Sequence, residues 1–261
     1  MVRKWESAGL AASTMQTRLS VMRGFCEWMN KPGMVHALES YLENKDNAKR
    51  NYIAIEDKSW SAKLDDVDTL IAKVAAEDEI VGVQLRLMLE FGMRKKEAIC
   101  FKPKLADRGG YIVVTEGTKG GRDRVLAVTT DAQRQLLDYC KLRCASATAH
   151  LGRPGKTLLQ EMHHFEYIMA KFGITRKVLG VTSHGLRHQY LNDRYEEISG
   201  KPSPVRGGGE VNKELNEMAR YRVSELAGHS RINVTSAYFG SNRRMKILKP
   251  ATSDKSESEK P

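Results

Sequence analysis

Cysteine is scarce in this chain of 261 residues: Cys26, Cys100, Cys140 and Cys144 are the whole supply. Four thiols so spaced exclude a disulfide-built scaffold and suit a reducing interior. Cys140 and Cys144 stand four apart in a helical-looking segment, with His150, His163 and His164 downstream. That spacing matches no common zinc pattern, so neither a metal nor another cofactor is expected. Long apolar runs are missing too, which excludes a membrane-spanning helix. The opening residues MVRKWESAGLAAS hold no sustained apolar core, so neither a signal peptide nor an anchor is expected there. No internal repeat occurs, and acidic residues nowhere gather into the cluster that a two-metal nuclease needs. A cytoplasmic globular protein is the expectation that remains.

Positive charge, by contrast, is plentiful. Lys and Arg number 43 against 32 Asp and Glu, giving a formal charge of +11 and a pI near 9.5. An apolar fraction of 41% and a mean hydropathy of −0.49 fit a soluble protein with one large or two smaller domains. Between Arg176 and Pro250 there are 14 Lys and Arg against 7 Asp and Glu, so this segment holds most of the surplus. Charge gathered in that way fits a polyanionic partner, and nucleic acid is favoured over a membrane surface because no basic amphipathic anchor helix stands out.

The pattern of apolar residues is mostly helical. STMQTRLSVMRGFCEWMNK places Met15, Leu19, Met22, Phe25, Cys26 and Met29 at three- and four-residue spacings, and GMVHALESYLENK reads as a second short helical piece. Residues 1–55 are therefore expected to form a small helical unit, followed by a linker over 56–64. From Asp65 the helical period resumes in DDVDTLIAKVAAEDE and IVGVQLRLMLEFGM. AICFKP is a short strand candidate, and YIVVTEGT and VLAVTT flank KGGRDR as a β-hairpin with a Gly-Gly turn. Four further helical stretches follow, interrupted by the basic Pro/Gly-rich loop SGKPSPVRGGGE. The tail from Ala251, ATSDKSESEKP, lacks apolar anchors and is expected to be disordered.

Four separated segments carry the chemistry. EFGMRKKEAICF places Arg94 after a glycine, TEGTKGGRDR puts Lys119 at the hairpin tip, and TSHGLRHQY gives His184, Arg187 and His188. LAGHSRINVTSAYFG sets His229 nine residues before Tyr238. These residue types suit a metal-free attack on a phosphodiester. Two guanidiniums, Arg94 and Arg187, can clamp the non-bridging oxygens, whose charge grows in the transition state. A phenol such as Tyr238 can form a covalent phosphotyrosine, a histidine such as His184 can take its proton, and Lys119 can protonate the leaving 5′-oxygen. His229 would hydrogen-bond a phosphate oxygen. Each residue has a plainer reading alone: Tyr238 as a packed aromatic, Arg94 as a surface charge, His188 as a core histidine, Lys119 as one of several hairpin lysines.

Taken together and in this order, the segments resemble the tyrosine recombinase (phage integrase) family. GMRKKEAICF is similar to its first-arginine segment, with Glu97 in the supporting acidic place, SHGLRH to its His-x-x-Arg signature with His188 following, and LAGHSRINVTSAYFG to its block of Gly-His and nucleophilic tyrosine. The helix around TRLSVMRGFCEWM resembles the end of the core-binding domain, so the likeness covers Ser13 to Ser241.

The resemblance implies a mainly α fold with a small antiparallel β-sheet (α+β): a partial helical DNA-clamp unit (1–55) and an integrase-like catalytic domain (65–250). It implies cleavage through a 3′-phosphotyrosine, a Holliday-junction intermediate, a double-stranded DNA site, a working homo-tetramer and accessory DNA-bending proteins. It also implies association with the nucleoid when DNA is bound. The expected activity is site-specific recombination for a mobile element. The rivals are a catalytically idle DNA-binding regulator with the same fold, a topoisomerase IB-like relaxing enzyme, and a basic RNA-binding protein.

Two departures from the family stand out. Arg187 to His229 spans 42 residues, longer than the family usually shows, and the excess falls around Ser199–Leu215. Lys201 and Arg206 in that insertion, with Arg231, are candidate phosphate contacts. The helical unit is one or two helices short of the family pattern and no arm-binding domain precedes it, as expected of a fragment or a reduced member.

Overall fold

Asp66 and Asp78 open the two helices on which the larger part of the fold is built. Each carboxylate accepts a backbone N–H of the first turn, from Thr69 at 2.8 Å and from Val81 at 3.0 Å, so the donors a helix start leaves orphaned are met by its own cap. A computed structural model describes residues 1–229 and 231–242; the tail expected to be disordered lies outside the described residues, as does the side chain of Lys119. The chain divides into two units, Met1–Tyr52 and Ile53 onward.

The first unit holds α1 (Val2–Ser7) and α2 (Ala12–Trp28) around a core of Val2, Met15, Leu19, Leu38, Leu42 and Ala48. Of the apolar face expected on α2, only Met15 and Leu19 are buried; Phe25 and Trp28 stand exposed and stacked on one another. GMVHALESYLENK does not form the expected helical piece beyond two 3-10 turns, Leu38–Ser40 and Lys45–Ala48. Side chains close this segment instead of a helical ladder: the Tyr41 hydroxyl accepts from the His36 amide, and Asn44 accepts from the Asp46 amide.

In the second unit α3 (Val67–Glu77) packs against α4 (Glu79–Phe91), the central helix, which also meets α5 (Lys95–Cys100), α7 (Asp131–Arg143) and α9 (Ser183–Ser199). Val81, Leu85, Leu87, Met88 and Phe91 of α4 are buried in the main core. The expected strand at AICFKP is overturned: its first three residues end α5, and Pro103 then starts α6 (Pro103–Ala106). A short apolar run has no period long enough to separate strand from helix. Here a capping box built by Arg94 and Glu97 starts a helix just upstream and settles it.

The hairpin is present as β1 (Tyr111–Val114) and β2 (Arg124–Ala127), antiparallel with Tyr111 opposite Ala127 and Val114 opposite Arg124. Ile112, Val114, Arg124 and Leu126 face inward, so an arginine occupies a core position of β2.

Thr130 and Thr157 form capping boxes for α7 and α8 (Leu158–Lys171). Gly200, at φ +68, stops α9, and Asn212 caps α10 (Lys213–Leu226). A second apolar cluster joins Tyr190, Leu191 and Tyr195 of α9 and Ala219 and Val223 of α10 to Tyr238 and Phe239 of the one-turn helix α11 (Ser236–Phe239).

The segment expected as a linker, 56–64, is packed into this unit. Trp60 is fully buried and its indole N–H donates to the Thr182 carbonyl at 2.7 Å, which fixes both the apolar body and the polar edge of the ring. Among the described residues no helix is long and apolar enough to cross a membrane.

Candidate active site

Gly92 is the corner from which the site is built. It ends α4 in the left-handed region at φ +58, and a Cβ there would sit 2.3 Å from the Tyr190 ring. Only glycine meets both conditions. The turn delivers Arg94 to the N-cap of α5, where its amide donates to the Glu97 carboxylate at 2.8 Å and its guanidinium pairs with the same carboxylate.

Glu97 is fully buried and also pairs with Arg124, itself 2% exposed. Burial would raise the Glu97 carboxyl, but Arg124, the Arg94 amide, Arg94 and Arg187 outweigh it and hold its pKa below the ordinary value. Burial and the neighbouring Arg187 push Arg124 down to about 10, which leaves it charged at neutral pH. Arg124 also donates to the Leu226 carbonyl at 3.0 Å, so one arginine ties the hairpin to α5 and to the end of α10. Reasoning from sequence missed it. The strand alternation carries the signal, since Leu126 and Arg124 must share a face.

Arg187 is completely buried on α9 and donates to the carbonyls of Gly92 and Ala227, the latter at 2.5 Å. Arg94 donates to that same Ala227 carbonyl at 3.0 Å. The two guanidiniums therefore converge on a single oxygen, just before Gly228 and His229. The Arg187 Nε has no hydrogen-bond partner among the described residues.

Tyr238 is 7% exposed, with three histidines around its ring. His229 Nε2 is 3.3 Å from the Tyr238 hydroxyl. The His188 ring centre is 4.7 Å from the Tyr238 ring and the His184 ring 6.3 Å from it. Burial, then Arg187, Arg94 and Lys58, push His184 down to about 4, and burial, then His184 and Lys58, push His188 down to about 3. Both imidazoles are neutral at physiological pH. A cavity of about 380 Å³ opens beside His184 and His188, lined also by Lys58, Lys63, Arg176 and Thr182.

The structure thus brings together Arg94, Glu97, His184, Arg187, His188, His229 and Tyr238. Lys119 sits in the 3-10 turn Lys119–Gly121 at the hairpin tip; its side chain lies outside the described residues. Of the three expected phosphate contacts, Arg231 is exposed beside the start of the turn Ile232–Thr235. Lys201 donates to the Glu210 carbonyl at 2.9 Å. Arg206 is occupied differently, its guanidinium enclosed by Asp57, Asp193 and Ser59.

A sequence family described as Integrase matches residues 54–193. The tyrosine recombinase XerC of Xanthomonas axonopodis pv. citri (strain 306) is 26% identical over 238 residues, covering 88% of this chain and 68% of that protein. The chain spans about two thirds of the length of the curated relatives it matches. Among solved structures, a lambda integrase fragment (75–356), a dimer bound to a COC′ core site, superposes with a TM-score of 0.58 at 15% identity over 93% of this chain and 78% of that one. The Tn1549 transposon integrase (82–397), in complex with circular intermediate DNA, gives 0.54 at 12% identity over 95% and 81%. At such identities these two show a shared fold.

Proposed function

From the premise that this chain belongs to the integrase family of tyrosine recombinases, enzymes that cut and rejoin DNA strands, we propose that it is a site-specific recombinase of a mobile element working without a metal. The observation that carries this reading is the position of the Tyr238 hydroxyl. It stands 3.3 Å from His229, among His184 and His188, while Arg94 and Arg187 meet at the Ala227 carbonyl two residues before that histidine. A phosphodiester placed there would have its non-bridging oxygens held by Arg94 and Arg187.

In the first step the Tyr238 Oη forms a bond to phosphorus and the P–O5′ bond breaks. The phenolic proton passes to His184, and Lys119 gives a proton to the departing 5′-oxygen. The 3′-phosphotyrosine conserves the bond energy, and attack by a 5′-hydroxyl from a second duplex reverses each transfer to rejoin exchanged strands. Positive charge from arginines does the electrostatic task that metal ions do elsewhere. The lambda integrase neighbour is a dimer bound to DNA; duplex DNA and further copies of this chain are the corresponding partners here, with DNA-bending proteins as accessories.

The test is to trap covalent protein–DNA adducts in cells expressing the chain and to sequence the attached DNA, with Tyr238→Phe beside it. Adducts at one locus that vanish in the Phe variant and persist in EDTA support the reading. Bound DNA without adducts from either protein makes the chain an idle regulator and Tyr238 an ordinary aromatic.

A further inference from the structure

α11 is a single turn of four residues, too short to hold its own conformation. What fixes it is therefore what fixes Tyr238. Two structures grip its ends. At the start, the Ala54 amide donates to the Ser236 carbonyl at 2.8 Å. At the end, Gly240 lies so close to the Ala54 carbonyl and the Val205 side chain that a Cβ would sit 2.8 Å from each. Arg220 adds a bond to the Gly240 carbonyl at 3.0 Å.

Val205 belongs to the long insertion that follows α9, and that insertion is folded down rather than standing away from the molecule. Ser203 is fully buried and bonds Asn192 of α9, and the 3-10 turn Pro204–Arg206 packs against α11. Arg206 then reaches back. Its Nε donates to Asp57 at 3.1 Å, one terminal nitrogen to Asp193 of α9 at 2.6 Å and the other to the Ser59 hydroxyl at 3.2 Å. Ser59 in turn donates its amide and hydroxyl to the second oxygen of Asp57. One guanidinium thus joins the insertion, α9 and the segment after Ile53, and the insertion and that segment are the two elements that hold the ends of α11.

We propose that the insertion is a built-in brace for the nucleophile, with Arg206 as a positioning residue for DNA cleavage rather than a contact to DNA phosphate. The proposal rests on the reading of Tyr238 as the nucleophile. The Arg206 fork is engaged by two carboxylates and a hydroxyl, which neutralise its charge within the protein and fix it between the elements it joins. Displacing a nucleophile by a fraction of its reach costs rate at saturating substrate and leaves substrate affinity nearly unchanged.

The experiment uses a nicked duplex carrying the sequence recovered with the adducts, and measures single-turnover adduct formation at saturating DNA, binding against salt, and amide hydrogen exchange. Arg206→Ala is expected to slow adduct formation on the order of 10- to 100-fold. Binding and its salt slope should be unchanged, with Arg206→Lys intermediate. Asp57→Asn should produce the same defect, and Val205→Ala a smaller one that leaves the ion pairs intact. Exchange should quicken in residues 236–240 and stay as slow as before across α4, which separates loss of the brace from loss of the fold.

A salt slope reduced by about one with an unchanged saturating rate would make Arg206 a phosphate contact and overturn the proposal. Tighter DNA binding by Asp57→Asn at an unchanged rate would overturn it too, as would unchanged exchange at 236–240. Should the wild-type chain form no adduct at all, the reading of Tyr238 has failed instead, and the exchange measurement still decides whether the brace holds α11.

Discussion

His229 Nε2 and the Tyr238 hydroxyl lie 3.3 Å apart. The histidine expected to bind phosphate is therefore first of all the neighbour of the proposed nucleophile. On the proposed mechanism, replacing it removes both an orienting contact and a donor to the developing charge. His229→Ala is expected to lower the rate of adduct formation at saturating DNA on the order of 100-fold or more, with His229→Gln less damaging. Single-turnover cleavage checks this, and wild-type rates in both variants would remove His229 from the chemistry.

Glu97 is the shared counter-charge of Arg94 and Arg124, and all of its exposure is lost on folding. Glu97→Gln leaves the buried Arg124 with carbonyl partners and no anion, which is expected to cost about 3–5 kcal/mol of stability. Urea unfolding measures it. Removing both charges together, Glu97→Gln with Arg124→Met, should cost less than the sum of the single changes, because neither partner is then stranded.

Acid should weaken the native state before the carboxylates titrate. His184 and His188 have folded-state pKa values of about 4 and about 3, below the ordinary value near 6.5. The unfolded chain therefore binds protons that the folded chain refuses, and stability present above pH 6.5 is lost as pH falls toward 4. Denaturant midpoints at pH 7, 5.5 and 4.5 should fall in that order. His188→Gln should flatten the fall, and a slope identical to wild type would show that His188 is not held neutral by its surroundings.

Gly92→Ala tests the corner that aims Arg94. The substitution forces a Cβ into the Tyr190 ring at a left-handed backbone position, with an expected loss of at least about 1 kcal/mol. Thermal unfolding reads the loss. Adduct formation should fall as well under conditions where the variant remains folded, because Arg94 is displaced with the turn.

Spacing made much of this legible before any coordinates. Apolar residues three and four apart placed α2, α3, α4, α8 and α9, and β-branched runs around two glycines placed the hairpin. The order of Arg94, His184, Arg187, His229 and Tyr238 along the chain pointed to residues that the fold brings side by side. What escaped was decided by partners distant in sequence. AICFKP is helical at its start because Glu97 caps Arg94, which a six-residue apolar run does not reveal. Residues 56–64 have no period, yet Trp60 meets Thr182 across 122 residues. Arg124 reads as one more hairpin charge until its strand neighbour Leu126 is seen to face the core. SGKPSPVRGGGE has the composition of a mobile loop, and its order comes from Asp57 and Asp193, which lie elsewhere in the chain.

The Ala227 carbonyl accepts from Arg94 and Arg187 together, and the backbone beyond it is not at liberty to turn aside. Gly228 is pinned at φ +63 against the Arg124 side chain. A peptide oxygen carries part of a negative charge, so it occupies this electropositive spot as a modest rehearsal of the anion. On the proposed reading, a phosphodiester oxygen would take over the two donors that the Ala227 carbonyl now holds.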